Sequence, residues 1–223
     1  MPILSPSDRE TVRTHLEGVV HPVRLLLFTQ TFGGPDTGPV ARQILDEIVD
    51  LNELVTVEEV NFVLDKERVE AFGIAGVPAI AVMRGAVDTR MRFLGAPAGY
   101  EFMSLIEAVI TAGTDEPGLS DESRALIATV TEPLDIKVFV TPTCPHCPRA
   151  VTLAHKMAMA SPLITATCVE ATEFLDLSRQ FRVTGVPKTV VNGTTDILGA
   201  LPEDQFVRAV LRRAEHQQDA SLP

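Results

Sequence analysis

Cys144-Pro145-His146-Cys147 is the part of this chain whose residue types and spacing can do chemistry. Two cysteines three apart at a helix start lie on neighbouring positions of one turn, so their sulfurs can bond with little backbone movement. Such a pair can cycle between dithiol and disulfide and thereby carry two electrons. A strand-like run from Ile136 to Val140 leads through Thr141-Pro142-Thr143 into the pair, and a helical pattern follows from Pro145 to about Met159. With Cys144 at the N-cap, unbonded N–H groups and the positive end of the helix dipole face its sulfur and favour the thiolate, which is the nucleophile. Cys147, one turn in, is expected to be more buried and to resolve the mixed disulfide. Pro145 then falls at N1, where its missing N–H costs nothing. Pro148 sits at the edge of the tolerated region and is expected to loosen the helix. His146, between the sulfurs, is positioned to lower the pKa of Cys144 further.

Two other uses of a cysteine pair stay open at this point: a structural couple, or half of a zinc site. Tetrahedral zinc wants four ligands, usually from two such clusters. The third and last cysteine is Cys168, and no second CxxC exists, so no metal site is expected. Composition narrows the class further. A net charge of −11 argues against nucleic acid and anionic membranes as partners. Hydrophobic content of 45% across 223 residues can build a real core. Three cysteines are too few for a disulfide-stapled secreted scaffold. No basic-then-apolar leader opens the sequence and no apolar run approaches a membrane span, so a soluble cytoplasmic protein is expected. In that compartment a CxxC is more often catalytic than structural.

The elements that must position the pair occur twice. Phe72 to Ile80, containing Gly76-Val77-Pro78, parallels Phe181 to Thr189, containing Gly185-Val186-Pro187. Leu94-Gly-Ala-Pro97 parallels Leu198-Gly-Ala-Leu-Pro202, and Val23 to Phe28 parallels Leu134 to Phe139. Each copy reads as helix, strand, helix, strand, helix, Gly-Val-Pro, strand, strand, helix, with Ser7 and Ser120 as N-caps of the opening helices. This predicts an α/β fold of two tandem units, each a mixed β-sheet flanked by helices. The turn-rich stretch Ala112 to Gly118 sets the boundary near residue 115, giving units 1–115 and 116–223. The first unit has no cysteine. Its loop Thr31 to Pro39 stands where the second has CxxC, cannot transfer electrons, and offers Asp36 or Thr37 as a helix cap.

This combination resembles the glutaredoxin-like protein disulfide oxidoreductases of thermophiles, which pair two thioredoxin-like units in about this length. Several of those carry CxxC in both units; this chain does not. The layout with a redox pair in the second unit only is similar to the N-terminal domain of the alkyl hydroperoxide reductase flavoprotein. There a Cys-His-Asn-Cys-Pro motif passes electrons to a peroxiredoxin. Cys144 to Pro148 and Gly185 to Gly193 carry that likeness here. The resemblance implies cis peptide bonds at Val186-Pro187 and Val77-Pro78, with Pro187 facing the disulfide and the backbone of Val186 pairing with substrate. It also places Thr143 where thioredoxin has a tryptophan, next to the nucleophile. No cofactor beyond the redox-active disulfide is implied. The implied partners are protein disulfides, a thioredoxin-reductase-like flavoprotein and a peroxiredoxin.

The function expected is thiol-disulfide exchange that reduces, forms or isomerises protein disulfides. A peroxiredoxin electron donor is its narrower form. A non-catalytic binding module and a redox sensor are the competing classes. Among the remaining polar groups, Cys168 is expected to be a buried small hydrophobe. Glu170 shares its strand face and is expected to be solvated, with service as a base to the resolving cysteine as the alternative. His155 and Lys156 are expected on the solvent side of the active-site helix. Arg149 and Lys188 are the candidates for gripping the carboxylates of glutathione.

Overall fold

A computed structural model describes residues 3–30, 33–116 and 118–219; Thr31 and Phe32 of the first-unit loop and Pro117 of the linker lie outside them. The first half runs α1 (Pro6–Leu16), β1 (Val23–Thr29), α2 (Thr37–Val49), β2 (Val55–Asn61), α3 (Lys66–Ala71), β3 (Ala79–Arg84), β4 (Val87–Leu94) and α4 (Glu101–Gly113). The second repeats it as α5 (Asp121–Ile127), β5 (Leu134–Val140), α6 (Cys147–Ala160), β6 (Ile164–Glu170), α7 (Leu175–Gln180), β7 (Lys188–Val191), β8 (Thr195–Leu198) and α8 (Glu203–Asp219). The expected boundary falls between α4 and α5.

The strands form one sheet in the order β2-β1-β3-β4-β6-β5-β7-β8. Within each half the strand that follows the opening helix pairs in parallel with the next strand and antiparallel with the third. The halves are joined by parallel pairing of β4 with β6, where Met91 to Leu94 face Ala166 to Val169. The backbone groups that each half would expose at a sheet edge thereby satisfy one another.

Alternation along the strands divides the core. Leu25, Leu27, Ile80, Val82, Ile136 and Val138 point to one face, where they pack with residues of α1, α2, α4, α5, α6 and α8. Leu26, Phe28, Ala81 and Phe139 point to the other, under residues on or beside the short helices α3 and α7. Ser120 caps α5 by accepting from Ser123 N–H. The cap of α1 is Ser5, which accepts from Asp8 N–H, and not Ser7, which lies inside the helix. In α2, Asp36 occupies the N-cap position without a side-chain cap bond, and Thr37 Oγ1 donates to Glu173 of the second half. The helix start is therefore tied across the halves, not capped locally. Among the described residues, no helix is long and apolar enough to cross a membrane.

Candidate functional site

Cys144 and Cys147 are joined as a disulfide with Cα atoms 5.5 Å apart. The chain leaves β5 at Val140 and turns at once, with Cys144 N–H donating to Thr141 O at 3.1 Å. Helix α6 begins at Cys147, two residues later than expected: His146 is its N-cap and Pro148 lies within its first two residues. Cys144 is thus not the N-cap and Pro145 is not N1. Pro148 sits where no intrahelical N–H is needed, so it neither kinks nor loosens the helix. The Cys144 sulfur still lies at the helix N-terminus, because its bonded partner is the first helical residue. Field stabilisation of a thiolate is retained.

Exposure differs between the two cysteines. Cys144 is 9% exposed and Cys147 fully buried, while Thr143, Pro145 and His146 around them are exposed. Val186-Pro187 and Val77-Pro78 are both cis. Val186 lines two neighbouring depressions. One, of about 430 Å³, runs among Pro145, His146, Arg149, Pro187 and Gly199. The other, of about 510 Å³, includes Thr141, Leu175, Val183 and Val186. Together they bring the predicted Pro145, His146, Val186 and Pro187 to one surface; Thr143 stands exposed beside the disulfide and lines neither. Neither backbone polar group of Val186 makes a hydrogen bond to another backbone group among the described residues. An extended segment can therefore pair there.

The matching segment of the first half differs at its glycine. A Cβ on Gly76 would come 2.8 Å from the ring of Phe174, which belongs to the second half, whereas Gly185 has open space around it. The repeated backbone is thus packed by Phe174 at Gly76 and left open at Gly185.

Several polar side chains sit far from where local pattern suggested. His155 is 1% exposed, packs edge-on against Phe93 with ring centroids 4.9 Å apart, and has Nε2 3.2 Å from Arg92 O. Burial pushes its pKa down to about 4, so it is a neutral core residue and not a solvated one. Lys156 is only partly buried and reaches Gly118 O at 3.4 Å. Glu170, expected in solvent, is 3% exposed, and its carboxylate accepts from Thr172 Oγ1 and Glu173 N–H. Lys188 is equally withdrawn: its ammonium donates to Phe181 O at 2.7 Å and pairs with Asp196 at 2.5 Å. It closes the end of α7 and is not free to grip glutathione.

The group that local reasoning missed is Glu101, the first residue of α4 and 2% exposed. It accepts from Ser104 Oγ at 2.6 Å, and Cys168 Sγ donates to it at 3.6 Å, while its other carboxyl oxygen has no partner among the described residues. Burial raises its pKa to about 7, assisted by the nearby Glu170 charge. Burial, with the Glu101 charge, holds the Cys168 thiol protonated well beyond the ordinary range. Tyr100, the residue before Glu101, donates its backbone N–H to Pro142 O at 2.9 Å, which sets the start of α4 against the loop entering Cys144. No motif marks Glu101 in the sequence; only the packing of the two halves does.

With this geometry in view, residues 134–212 match the thioredoxin domain family. The chain is a thioredoxin-fold redox protein, its disulfide at the CxxC position and its cis-proline opposite. More particularly, it resembles the N-terminal domain of the alkyl hydroperoxide reductase AhpF. It is 25% identical to that protein of Staphylococcus epidermidis over 194 residues, 87% of this chain and 35% of the relative. The chain therefore spans about a third of the length of the curated relatives it matches. AhpF of Enterococcus faecalis superposes with a TM-score of 0.87 at 23% identity, covering 93% of this chain and 99% of that one. A protein disulfide oxidoreductase from Aeropyrum pernix gives 0.86 at 27% identity, covering 95% and 94%.

Proposed function

We propose that this protein is a dithiol–disulfide oxidoreductase acting on protein disulfides through Cys144 and Cys147. The observation that carries this reading is the Cys144–Cys147 disulfide at a helix N-terminus, with exposed Pro145 and His146 sharing a depression with the cis-proline Pro187. In the reduced protein, the Cys144 thiolate attacks one sulfur of a substrate disulfide, and the other substrate sulfur leaves and takes a proton. Cys147 then gives up its proton and attacks the Cys144 sulfur, which releases the second substrate thiol and restores the 144–147 disulfide. Two electrons have passed to the substrate. The first half has no cysteine and serves as a scaffold, with Phe174 of the second half packed against its Gly76. Likeness to AhpF supports a narrower form, in which the electrons go to a peroxiredoxin and arrive from a flavoprotein.

The test is equilibration of the Cys144–Cys147 couple against glutathione buffers in a Cys168→Ser background, followed by turnover of a protein disulfide. A reversible couple near about −270 mV supports a reductase, and one above about −200 mV an oxidase or isomerase. Cys147→Ser should accumulate a mixed disulfide at Cys144, and Cys144→Ser should be inert. Absence of any reversible couple would leave a binding module instead.

A further inference from the structure

The surface beside the disulfide has a charge character opposite to that of the molecule. The chain carries 30 acidic and 19 basic residues. Yet the two depressions that share Val186 include three arginines and a histidine and no carboxylate: Arg149 and His146 on one side, Arg179 and Arg182 on the other. Among the described residues, the guanidinium groups of Arg149 and Arg182 have no hydrogen bond or ion pair, and Arg179 meets only the exposed Asp176 at 3.0 Å. The second depression is also lined by the apolar residues Leu175, Val183 and Val186, with Leu175 52% exposed.

The duplication shows that this is not a by-product of the fold. The offset that relates Lys66 to Leu175 and Pro78 to Pro187 places Glu70 opposite Arg179 and Gly73 opposite Arg182. The half without a dithiol therefore has one acidic residue and no basic one at these positions.

We propose that Arg149 and Arg182, with Arg179, select as substrate an extended acidic protein segment that carries its disulfide next to an apolar residue. The backbone of that segment pairs with Val186, its apolar side chain meets Leu175 and Val183, and carboxylates on both flanks meet the free guanidinium groups. An occupant of this length spans both depressions, which oxidised glutathione has no apolar group to do. The inference rests on the redox reading above and adds the substrate's chemistry to it.

Two disulfide-bridged peptides, identical except for Glu or Gln at the flanking positions, test it. The full-length protein is reduced, mixed with each peptide, and quenched with an alkylating agent, and the rate constants for its oxidation are compared. The Glu peptide should react roughly three- to ten-fold faster at low ionic strength, the range expected of two or three exposed ion pairs. The ratio should shrink toward one in high salt. It should shrink likewise in the Arg149→Gln/Arg182→Gln double variant, while Arg13→Gln, in α1, should keep it. Because the readout is a ratio within each variant, a general loss of reactivity does not mimic the effect. Equal rates for the two peptides, an unchanged ratio in the double variant, or faster reaction with oxidised glutathione would each overturn the proposal. Uncharged 4,4′-dithiodipyridine separates the two levels. If it oxidises the pair but the peptides are not distinguished, only the selectivity fails; if no disulfide oxidises the pair, the redox reading fails as well.

Discussion

Replacing Glu101 by Gln removes a charge that the fold pays for only above mildly acidic pH. An ordinary glutamate titrates near 4.5, and Glu101 is raised to about 7 by burial. Below 4.5 the carboxyl is neutral in both folded and unfolded chains, and no penalty exists. As pH rises through this window the unfolded chain loses its proton first, so stability falls, and the loss is complete once the folded carboxyl has also ionised above about 7. At about 1.4 kcal/mol per pKa unit, the full penalty is on the order of 3 kcal/mol. With the residue only 2% exposed, solvent screening reduces this little. Gln is isosteric and does not titrate, so Glu101→Gln should gain stability relative to the parent by about 2–3 kcal/mol between pH 5 and pH 8. At pH 5 it should be equal or slightly weaker, because its amide inherits the unpartnered position of the carboxyl oxygen. His155, whose pKa falls to about 4, slopes the opposite way but is present in both proteins and cancels in the difference. Urea unfolding followed by far-ultraviolet circular dichroism, with the disulfide intact, gives the difference at pH 5, 6.5 and 8. A difference that does not change with pH would refute a buried, near-neutral Glu101.

Other sites give sharper yes-or-no outcomes. His155→Ala removes a fully packed ring from between α6 and β4, and should cost about 3 kcal/mol in urea unfolding at pH 7. Gly99 has φ +60°, and a Cβ there would run into Pro142 O, so Gly99→Ala should cost at least about 1 kcal/mol and slow oxidation of the reduced pair through displacement of its entry loop. Lys188→Met strips the Phe181 and Arg182 carbonyls of their donor and should lower the thermal midpoint, a change a surface lysine would not produce.

Much of the architecture was legible because it is local and repeated. Strand runs and Gly-Val-Pro punctuation recur at matching positions, the CxxC stands in the second copy alone, and each element needs only its own residues to declare its type. Those same residues fail to say what lies above them. Glu170 and Cys168 alternate as expected, but their shared face is buried because α4 and α6 lie over it. Helix α6 starts two residues later than the pattern implies because the turn at Thr141 to Cys144 takes up the backbone that Pro145 was expected to lead into a helix.

Covalent spacing and short-range periodicity made the cysteine pair, a helix after it, the Gly-Val-Pro segments and the repeated order of elements readable, whereas the cis bonds at Val77-Pro78 and Val186-Pro187 were implied by family resemblance. Tertiary structure alone decided the rest. Joining β4 to β6 made two units into one sheet, brought Glu101 beside Cys168, and set Phe174 against Gly76 of the first half. Burial of a charge, and the pKa that follows from it, is a property of everything packed around a group and is written in no single stretch of chain.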